Sequence, residues 1–426
     1  MLSEGIFSTT KTPDQVDNTA LENLSGQNGE KTTNTRKRAP NAPSASVSPS
    51  FSEPDKKAKK KIELIVTPPI TPPDLESGYC PVENGQILRK RYQVQKMLGS
   101  GAYATVYLAK DKRIKRTVAL KFVRSGELFN NASDIEIECM EKAKNASKSI
   151  AFSEPPIGSN NIVTLLGKFR FKSSIDTHHV LVMESLVSDL FSVLWYSNQK
   201  RLTLHRIKRF MKDVVEGLFF LHSVCNIMHL DIKPENLLVT IDPDNMDLSD
   251  PNCSARLKIG DFGTSARTFD FVKKTVQTSH YRAPESFLKS QITPAADMWS
   301  VGCTMYEMTT RQVLFPCIEG KPNDHKSWLC QISKLLGPVE MKYFERNDEN
   351  EKVFEEVFGN QKALIEEPLS PSLISPKELR KKYLMDKPEA EEFCQLMRKF
   401  LTIDPKKRIT AEDALKHPFF SELCTE

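Results

Sequence analysis

The stretch that decides the fold lies near the middle of the chain and reads Met228-His229-Leu230-Asp231-Ile232-Lys233-Pro234-Glu235-Asn236, followed by Leu237-Leu238-Val239. Two shorter motifs follow it in order, first Asp261-Phe262-Gly263 and then Ala283-Pro284-Glu285. Two more precede it, Gly99-Ser100-Gly101 and Val118-Ala119-Leu120-Lys121. Motifs of these five kinds do not arise in this order by chance, so we interpret them as parts of one site.

The upstream glycines lie between two runs with the alternating pattern of β-strands, which begin at Tyr92 and Thr105. Glycine lets backbone N–H groups approach phosphate oxygens without a Cβ atom in the way. A Gly-x-Gly pair in a hairpin is more often only a tight turn, and Ala104 stands where the Gly-x-Gly-x-x-Gly pattern has its third glycine. By itself, this loop is a weak indication of a nucleotide site.

Lys121 ends the next strand-like run, in which alternation puts Ala119 and Lys121 on the same face. That face can present a small side chain to a base and an ammonium group to phosphates. A single lysine on a strand is more often an edge charge, so the meaning of Lys121 depends on the motifs that follow it.

Hydrophobic periodicity divides the region after residue 90 into two parts. The first part has further strand-like runs at Arg116–Val123 and Val180–Met183, and a short amphipathic helix is predicted over Ile135–Lys142. From about residue 203 the period becomes helical. Six apolar side chains then share one helical face, namely Ile207, Phe210, Met211, Val214, Leu218 and Leu221. The pattern predicts an α+β fold with a small β-rich lobe followed by a large helical lobe.

Residues 1–85 differ in composition from the rest of the chain. They contain 10 of the 26 prolines and many Ser, Thr and Asn residues, while apolar residues are too sparse to offset the entropy of ordering. We predict a disordered Ser/Thr/Pro-rich tail. It contains two basic clusters, Arg36-Lys37-Arg38 and Lys56-Lys57-Ala58-Lys59-Lys60-Lys61. Such runs are typical of nuclear-localisation signals or of plain solvated charge, and we expect the protein in nucleus and cytoplasm.

Composition argues against several classes of protein. The 60 Lys and Arg residues against 55 Asp and Glu residues give a net charge of +5, too small over 426 residues to indicate wholesale nucleic-acid binding. No run approaches the roughly 18 apolar residues of a membrane helix, and the first residues lack the layout of a signal peptide. The nine cysteines are too widely spaced for a Cys-x-x-Cys metal site. We therefore expect protein partners, without a membrane or direct nucleic-acid contact.

Taken together, the five motifs resemble those of the eukaryotic protein kinases over residues 92–420. The resemblance implies a bilobal kinase fold with an N-lobe over 92–186 and a C-lobe over 187–420. Further segments are similar to those of the CMGC group of kinases, namely Tyr281–Glu285, Asp297–Gly302, Leu314–Pro316, Asp324–His325 and Leu335–Pro338. Within that group, Gln277-Thr278 and the central stretch are most similar to the SR-protein kinases and their Clk-type relatives.

The resemblance implies transfer of the γ-phosphate of ATP to Ser or Thr hydroxyls of proteins, with Mg²⁺. Asp231 would accept the hydroxyl proton, and Lys233 would neutralise the migrating phosphoryl group. Lys121 would hold phosphates and pair with a helix carboxylate, for which the similarity to SR-protein kinases favours Glu136 over Glu138 and Glu141. Asn236 and Asp261 would bind the metal. The nucleotide-binding residues would be Leu98, Gly99, Ser100, Gly101, Ala102, Val106, Ala119, Lys121, Glu184, Leu186, Asp189, Asn236, Leu238 and Asp261.

Substrate choice leaves two alternatives. In kinases a Glu at the position of Glu235 commonly meets an Arg shortly before the phosphoacceptor, which favours Arg/Ser-rich substrates. The CMGC-type Arg282 also permits Ser/Thr-Pro directed phosphorylation. A catalytically weak scaffold pseudokinase is the further alternative, although Lys121, Asp231 and Asp261 are all present.

Two departures from the family pattern concern regulation and loops. Leu230 replaces the Arg that normally pairs with a phosphorylated activation-loop residue, so we expect activity without obligatory phosphorylation of that loop. The insertion Asp242–Ala255 is acidic and rich in Pro and Asn, which predicts a solvated loop.

Overall fold

The computed structural model describes residues 77–149, 153–186, 188–195, 201–241, 247–248, 250, 253–272, 275–316, 324–348, 350–366, 375–383 and 386–424. Both basic clusters and most of the predicted tail lie outside these residues, as does part of the insertion Asp242–Ala255. The bilobal α+β architecture predicted from the sequence is confirmed.

An antiparallel six-stranded sheet forms the N-lobe. Its strands are β1 (Ile87–Leu88), β2 (Tyr92–Ser100), β3 (Ala104–Asp111), β4 (Arg116–Val123), β5 (Leu165–Lys172) and β6 (Thr177–Glu184), in the order β1-β2-β3-β4-β6-β5. Val118, Leu120 and Phe122 pack in an apolar core on one face of β4, whereas Ala119 and Lys121 line a cleft on the other. The alternation predicted for this strand is therefore confirmed.

One helix, α1 (Glu127–Ser147), packs against this sheet and buries Glu136, Ile137 and Met140. It is longer at both ends than the predicted Ile135–Lys142 helix. The added turns bury only Ser133 and Ala143, so they carry no apolar stripe from which a helix could be predicted. Glu127 in the first turn and Lys144 in the last complement the helix dipole.

Helices dominate the C-lobe. They are α2 (Leu190–Trp195), α3 (Leu204–Phe219), α4 (Pro284–Phe287), α5 (Ala295–Thr310), α6 (His325–Leu336), α7 (Glu351–Phe358), α8 (Pro376–Tyr383), α9 (Lys387–Phe400) and α10 (Ala411–Leu415). All six side chains of the predicted apolar face around α3 are buried. Nearly every residue of α5 is buried, so this helix forms the centre of the lobe and can hold polar groups in a fixed position. No helix in the described part of the chain is long and apolar enough to span a membrane.

Three small sheets complete the fold, and two of them lie beside the loops of the cleft. Their strands are β7 (Ser188–Asp189), β8 (Ile227–Met228), β9 (Leu237–Val239), β10 (Leu257–Ile259), β11 (Ala266–Arg267), β12 (Val339–Glu340) and β13 (Ala363–Leu364). The pairings are β10-β9-β7, β11-β8 and β12-β13, and the third of these sheets contacts α6. Because β8 ends at Met228 and β9 begins at Leu237, the polar stretch between them is held at both ends by strands.

The insertion after β9 is anchored as well as solvated, which corrects the prediction of a simple solvated loop. Buried Arg206 of α3 donates hydrogen bonds to the carbonyl oxygens of Cys253 at 2.8 Å, Asp250 at 3.0 Å and Ala255 at 3.1 Å. Leu248 is also buried. A polar composition does not show which distant side chain will satisfy the carbonyl groups of a loop, so the sequence contained no sign of this anchor.

Candidate active site

A buried carboxylate of α5 holds the backbone of the polar stretch between β8 and β9. Asp297 accepts hydrogen bonds from the N–H groups of Leu230 at 2.7 Å and His229 at 2.9 Å, and lies 2.8 Å from Nε2 of His222. Burial by itself would raise the pKa of Asp297, but the contact with His222 lowers it below its ordinary value. Leu230 has a left-handed backbone with φ of 62° and a fully buried side chain. These contacts aim the next residue, Asp231, into the cleft.

The Asp231 carboxylate is at the centre of a compact polar network. Its Oδ1 accepts hydrogen bonds from the hydroxyl of Thr278 at 2.7 Å and from the N–H of Thr278 at 3.2 Å. Its Oδ2 lies 2.8 Å from Nζ of Lys233 and 2.9 Å from Nδ2 of Asn236. Lys233 also donates to the Thr278 hydroxyl at 2.9 Å. Three side chains from two separate segments thus fix this carboxylate.

Lys121 lies between two carboxylates, with its Nζ 2.6 Å from Oε1 of Glu136 and 2.9 Å from Oδ1 of Asp261. Burial by itself would lower the pKa of Lys121, but Asp261 and Glu136 raise it above its ordinary value. The structure therefore pairs Lys121 with Glu136. The two sequence alternatives point elsewhere, because Glu138 pairs with Arg267 and Glu141 with Lys168.

Asp261 is oriented by its own backbone and by its neighbour. Its φ of 58° lies in the left-handed region, and Phe262 is fully buried with its ring centroid 5.1 Å from that of His229. The positive charge of Lys121 lowers the pKa of Asp261 to about 2, so its carboxylate is ionised at neutral pH. Its Oδ2 has no hydrogen-bond donor among the residues that the structure describes.

A cleft of about 310 Å³ lies between the lobes beside these groups. It is lined by Leu98, Gly99, Val106, Ala119, Lys121, Glu136, Val163, Met183, Glu184, Leu186, Ser188, Asp189, Glu235, Asn236, Leu238, Gly260 and Asp261. The other predicted nucleotide residues, Ser100, Gly101 and Ala102, line an adjoining cleft with Asp231 and Lys233. The structure thus brings every predicted site residue to one continuous region.

Two predicted residues contribute to the cleft in a restricted way. The Glu184 carboxylate turns away, accepting from the N–H of Thr164 at 2.7 Å and lying 2.8 Å from Nζ of Lys258, so only its backbone faces the cleft. Asp189 accepts hydrogen bonds from the N–H of Ser192 at 2.7 Å and its hydroxyl at 2.9 Å. It therefore caps α2 in addition to lining the cleft.

Several residues of the region were missing from the predicted site, among them Thr278, Val163 and Gly260. Thr278 contacts Asp231 from a distant segment, and only its place in the Gln277-Thr278 motif hinted at it. Val163 and Gly260 form part of the cleft wall. An added Cβ atom at Gly260 would lie 3.2 Å from Cγ2 of Val163 and 3.3 Å from Cδ1 of Leu238, so a larger residue would disturb that wall. The sequence signal for Gly260 was its position directly before Asp261.

Comparison with known proteins agrees with this geometry. Residues 92–420 match the family described as protein kinase domain. The chain is 29% identical over 397 residues to a serine/threonine-protein kinase SRPK of Physarum polycephalum, covering 82% of this chain and 90% of that protein.

Other relatives are similar over the same share of the chain. Dual specificity protein kinase lkh1 of Schizosaccharomyces pombe is 28% identical, with 82% of this chain and 49% of that protein covered. Serine/threonine-protein kinase AFC2 of Arabidopsis thaliana is 26% identical, with 82% and 81% covered. The chain therefore belongs to the protein kinase family, among the CMGC kinases of the SR-protein and Clk type, and is an ATP-dependent serine/threonine protein kinase.

Proposed function

We propose that Asp231 is the catalytic base of this kinase and accepts the proton of the substrate hydroxyl. The observation that supports this most directly is the network in which Thr278, Lys233 and Asn236 hold the Asp231 carboxylate at the adjoining cleft. General base catalysis requires a carboxylate held in one position within reach of the hydroxyl. Lys233, 2.8 Å from the same carboxylate, places a positive charge where the phosphoryl group would pass.

The donor set beside Asp231 fits Mg²⁺, and we assign that ion to Asn236 and Asp261. The amide nitrogen of Asn236 is used by the backbone oxygen of Asp231 at 2.8 Å and by its carboxylate at 2.9 Å. Its Oδ1 accepts no hydrogen bond from any residue in the described ranges, and neither does Oδ2 of Asp261. Mg²⁺ prefers such oxygen ligands and keeps several waters. When bound, it would neutralise phosphate charge.

The same contacts argue for an active enzyme rather than a scaffold pseudokinase. A pseudokinase is expected to have lost one of the charged groups or to hold them apart. Here Lys121 contacts both Glu136 and Asp261, and the glycine-rich loop has no bulky side chain directed at its own backbone, since an added Cβ atom at Gly99 or Gly101 would meet nothing within 4 Å. All charges needed for positioning the nucleotide are present together.

For substrate choice we propose Arg/Ser-rich protein segments, recognised through Glu235. This carboxylate is exposed at the mouth of the cleft, and no cation lies within ion-pair distance of it among the described residues. Desolvation at the cleft raises the pKa of Glu235; its own backbone N–H and the charge of Lys233 oppose this effect, and the charges of Glu307 and Asp231 add to it. An arginine guanidinium can bind such a carboxylate through two hydrogen bonds and supply the missing positive charge.

An acidic run of the C-lobe, residues 345–351 followed by Glu355 and Glu356, offers weaker support. Within the described part of that run, Glu351 pairs with Arg346, and Glu345 lies 3.7 Å from Nζ of Lys406. Because these carboxylates already have cationic partners, their attraction for a basic peptide is reduced. The proposal therefore depends on Glu235.

The test is kinetic and compares Arg-Ser-Pro, Ala-Ser-Pro and Arg-Ser-Ala peptides in wild type and the Glu235→Gln variant. We expect the variant to lose about 1.5–3 kcal/mol in kcat/KM for the two Arg-containing peptides, the worth of a hydrogen bond to a charged group. The Ala-Ser-Pro peptide should be unaffected. Glu154→Gln, an exposed glutamate outside both clefts, is the matched control. Equal losses on all three peptides would show that Glu235 only holds the loop together.

A second candidate, Ser/Thr-Pro directed phosphorylation, is favoured by one observation. The Arg282 guanidinium donates to the carbonyl oxygen of Gln277 at 2.9 Å, next to Thr278 and therefore next to Asp231. Gln277 also has a left-handed backbone, with φ of 68°. Because Arg282 already donates to the Gln277 carbonyl oxygen, that oxygen is not free to accept a hydrogen bond from the N–H of the residue after the phosphoacceptor. Proline has no N–H and therefore loses nothing at this position. A higher kcat/KM for Arg-Ser-Pro than for Arg-Ser-Ala would support this candidate.

A further inference from the structure

The segment just before the N-lobe sheet, Ser77–Cys80, lies along the tip of the glycine-rich loop; we call it the strap. The Tyr79 hydroxyl donates to the carbonyl oxygen of Gly101 at 2.8 Å. The strap is itself held in place. The N–H of Ser125 donates to the Gly78 carbonyl at 2.8 Å, and Cys80 is buried in the apolar core of the N-lobe sheet. Residues 77–80, which the sequence analysis assigned to the tail, thus contact the loop over the cleft.

Arg124, at the end of β4, connects the strap to the loop. Its guanidinium contacts two rings, with its Cζ 4.6 Å from the centroid of Tyr79 and 4.3 Å from that of Phe129. Its Nε donates to the Ser77 carbonyl at 2.8 Å, and its Nη1 donates to the Ala102 carbonyl at 2.8 Å. Two stacked faces and a fork of donors are a geometry that arginine satisfies and lysine does not.

The result is that three consecutive carbonyl groups of the loop have fixed partners. Gly101 accepts from Tyr79, Ala102 from the Arg124 side chain, and Tyr103 from the Arg124 N–H at 3.0 Å. A peptide unit is planar and trans, so fixing each carbonyl also fixes the N–H on its opposite edge. Those N–H groups belong to Ala102, Tyr103 and the following residue, and backbone N–H groups of this kind are what bind phosphate oxygens.

We propose that Tyr79 and Arg124 are positioning residues for nucleotide binding, acting by holding the tip of the glycine-rich loop. Gly99 and Gly101 have open space around them, so the loop lacks side-chain packing of its own at these positions. The strap and Arg124 supply the missing order from outside the loop. The proposal rests on nucleotide binding in the cleft. It adds Tyr79, which precedes the family match at residues 92–420, and gives Arg124 within that match a positioning task.

The test uses the full chain with Tyr79→Phe, Arg124→Lys and the double variant. We expect Tyr79→Phe, which keeps its ring on Arg124 but loses one hydrogen bond, to raise the Kd of a fluorescent ATP analogue about 2- to 10-fold. Arg124→Lys should raise it more, because the donors to both Ser77 and Ala102 are lost. Amide hydrogen exchange of residues 99–104 should be faster in both variants. The peptide KM should stay at the wild-type value.

Matched controls separate this effect from general destabilisation. Arg116→Lys changes an exposed arginine of the same strand, and Tyr343→Phe removes a tyrosine hydroxyl of the C-lobe; both should leave Kd and loop exchange unchanged. Saturable binding to the wild type verifies the nucleotide site independently of the strap. Wild-type Kd, or wild-type exchange of residues 99–104, in Tyr79→Phe and Arg124→Lys would overturn the proposal.

Discussion

At the scale of single residues, Asp231, Lys121 and Asp261 are each tied to several partners, and each has a different task. Asp231 is held by neutral and positive donors, whereas Lys121 and Asp261 form part of one line of alternating charge with Glu136. Removing any one of these charges leaves the others in a low-dielectric cleft without their counter-ion. This loss of a counter-ion costs stability, but the loss of activity should be larger, because each group also acts on the phosphoryl transfer itself.

We predict that Lys121→Met, Asp231→Asn and Asp261→Ala each lower kcat/KM by on the order of 10³-fold or more. Because the three groups act on one transition state, a double variant should be little worse than a single one. Peptide phosphorylation assays measure the loss, and thermal unfolding checks that the fold is retained. Turnover at the wild-type rate in Asp231→Asn would refute the assignment of the base.

At the scale of elements, the C-terminal part of the activation segment, which runs from Asp261 to Glu285, is anchored by buried neutral groups and by the buried ion pair of Glu285. The Gln277 amide donates to the carbonyl of Ala296 and the hydroxyl of Ser300, both at 2.9 Å. Glu285 pairs with Arg408 at 2.6 Å, with both side chains fully buried. Leu230, at the position where other kinases have a phosphate-binding Arg, contributes an apolar side chain to the core instead.

We predict that phosphatase-treated enzyme keeps its kcat/KM, because the apolar Leu230 offers no cation to a phosphorylated residue and the buried contacts of Gln277 and Glu285 already hold the activation segment. The measurement is peptide phosphorylation before and after treatment, with mass spectrometry to verify removal of phosphate. Loss of activity to background after treatment would show that a phosphate-dependent contact is needed.

A variant of Gln277 tests directly whether this side chain anchors the activation segment. Gln277→Ala removes two donors and leaves the Ser300 hydroxyl with one partner fewer in a buried site, which should cost about 1–3 kcal/mol of folding free energy. Thermal unfolding of Gln277→Ala against wild type measures this cost. An unchanged unfolding midpoint would mean that the segment is held by other contacts.

At the scale of the whole molecule, the tail is the part of the chain whose task the kinase domain does not explain. We propose that its basic clusters direct entry into the nucleus, which the spacing of five lysines between positions 56 and 61 supports. Both clusters lie outside the described residues.

We predict that replacing Lys56, Lys57, Lys59, Lys60 and Lys61 by Ala shifts the protein from nucleus to cytoplasm. Microscopy of fluorescently labelled wild type and variant measures the ratio between compartments. Replacing lysines 112 and 115 of the exposed N-lobe hairpin is the matched control for loss of charge. An unchanged ratio would show that the cluster is only solvated charge.

The sequence alone determined the α+β class, the family, the strand alternation around Lys121 and the apolar face of α3. These are properties of local patterns, since the period of apolar side chains and the spacing of a motif are read along the chain. The predicted site residues likewise lie along one continuous cleft. At the two ends of α1 the apolar period gave no signal, and the predicted helix was therefore too short.

Only the tertiary structure decided which distant groups meet. Thr278 at Asp231, Arg206 on the insertion and Arg124 between Tyr79 and the loop all join residues that are far apart in sequence. A hydrogen bond depends on the positions of two atoms to within a few tenths of an ångström, and no local pattern encodes the approach of a separate segment. The resemblance to SR-protein kinases already favoured Glu136 over Glu138 and Glu141, and the packing of α1 against the sheet is what brings that carboxylate to Lys121.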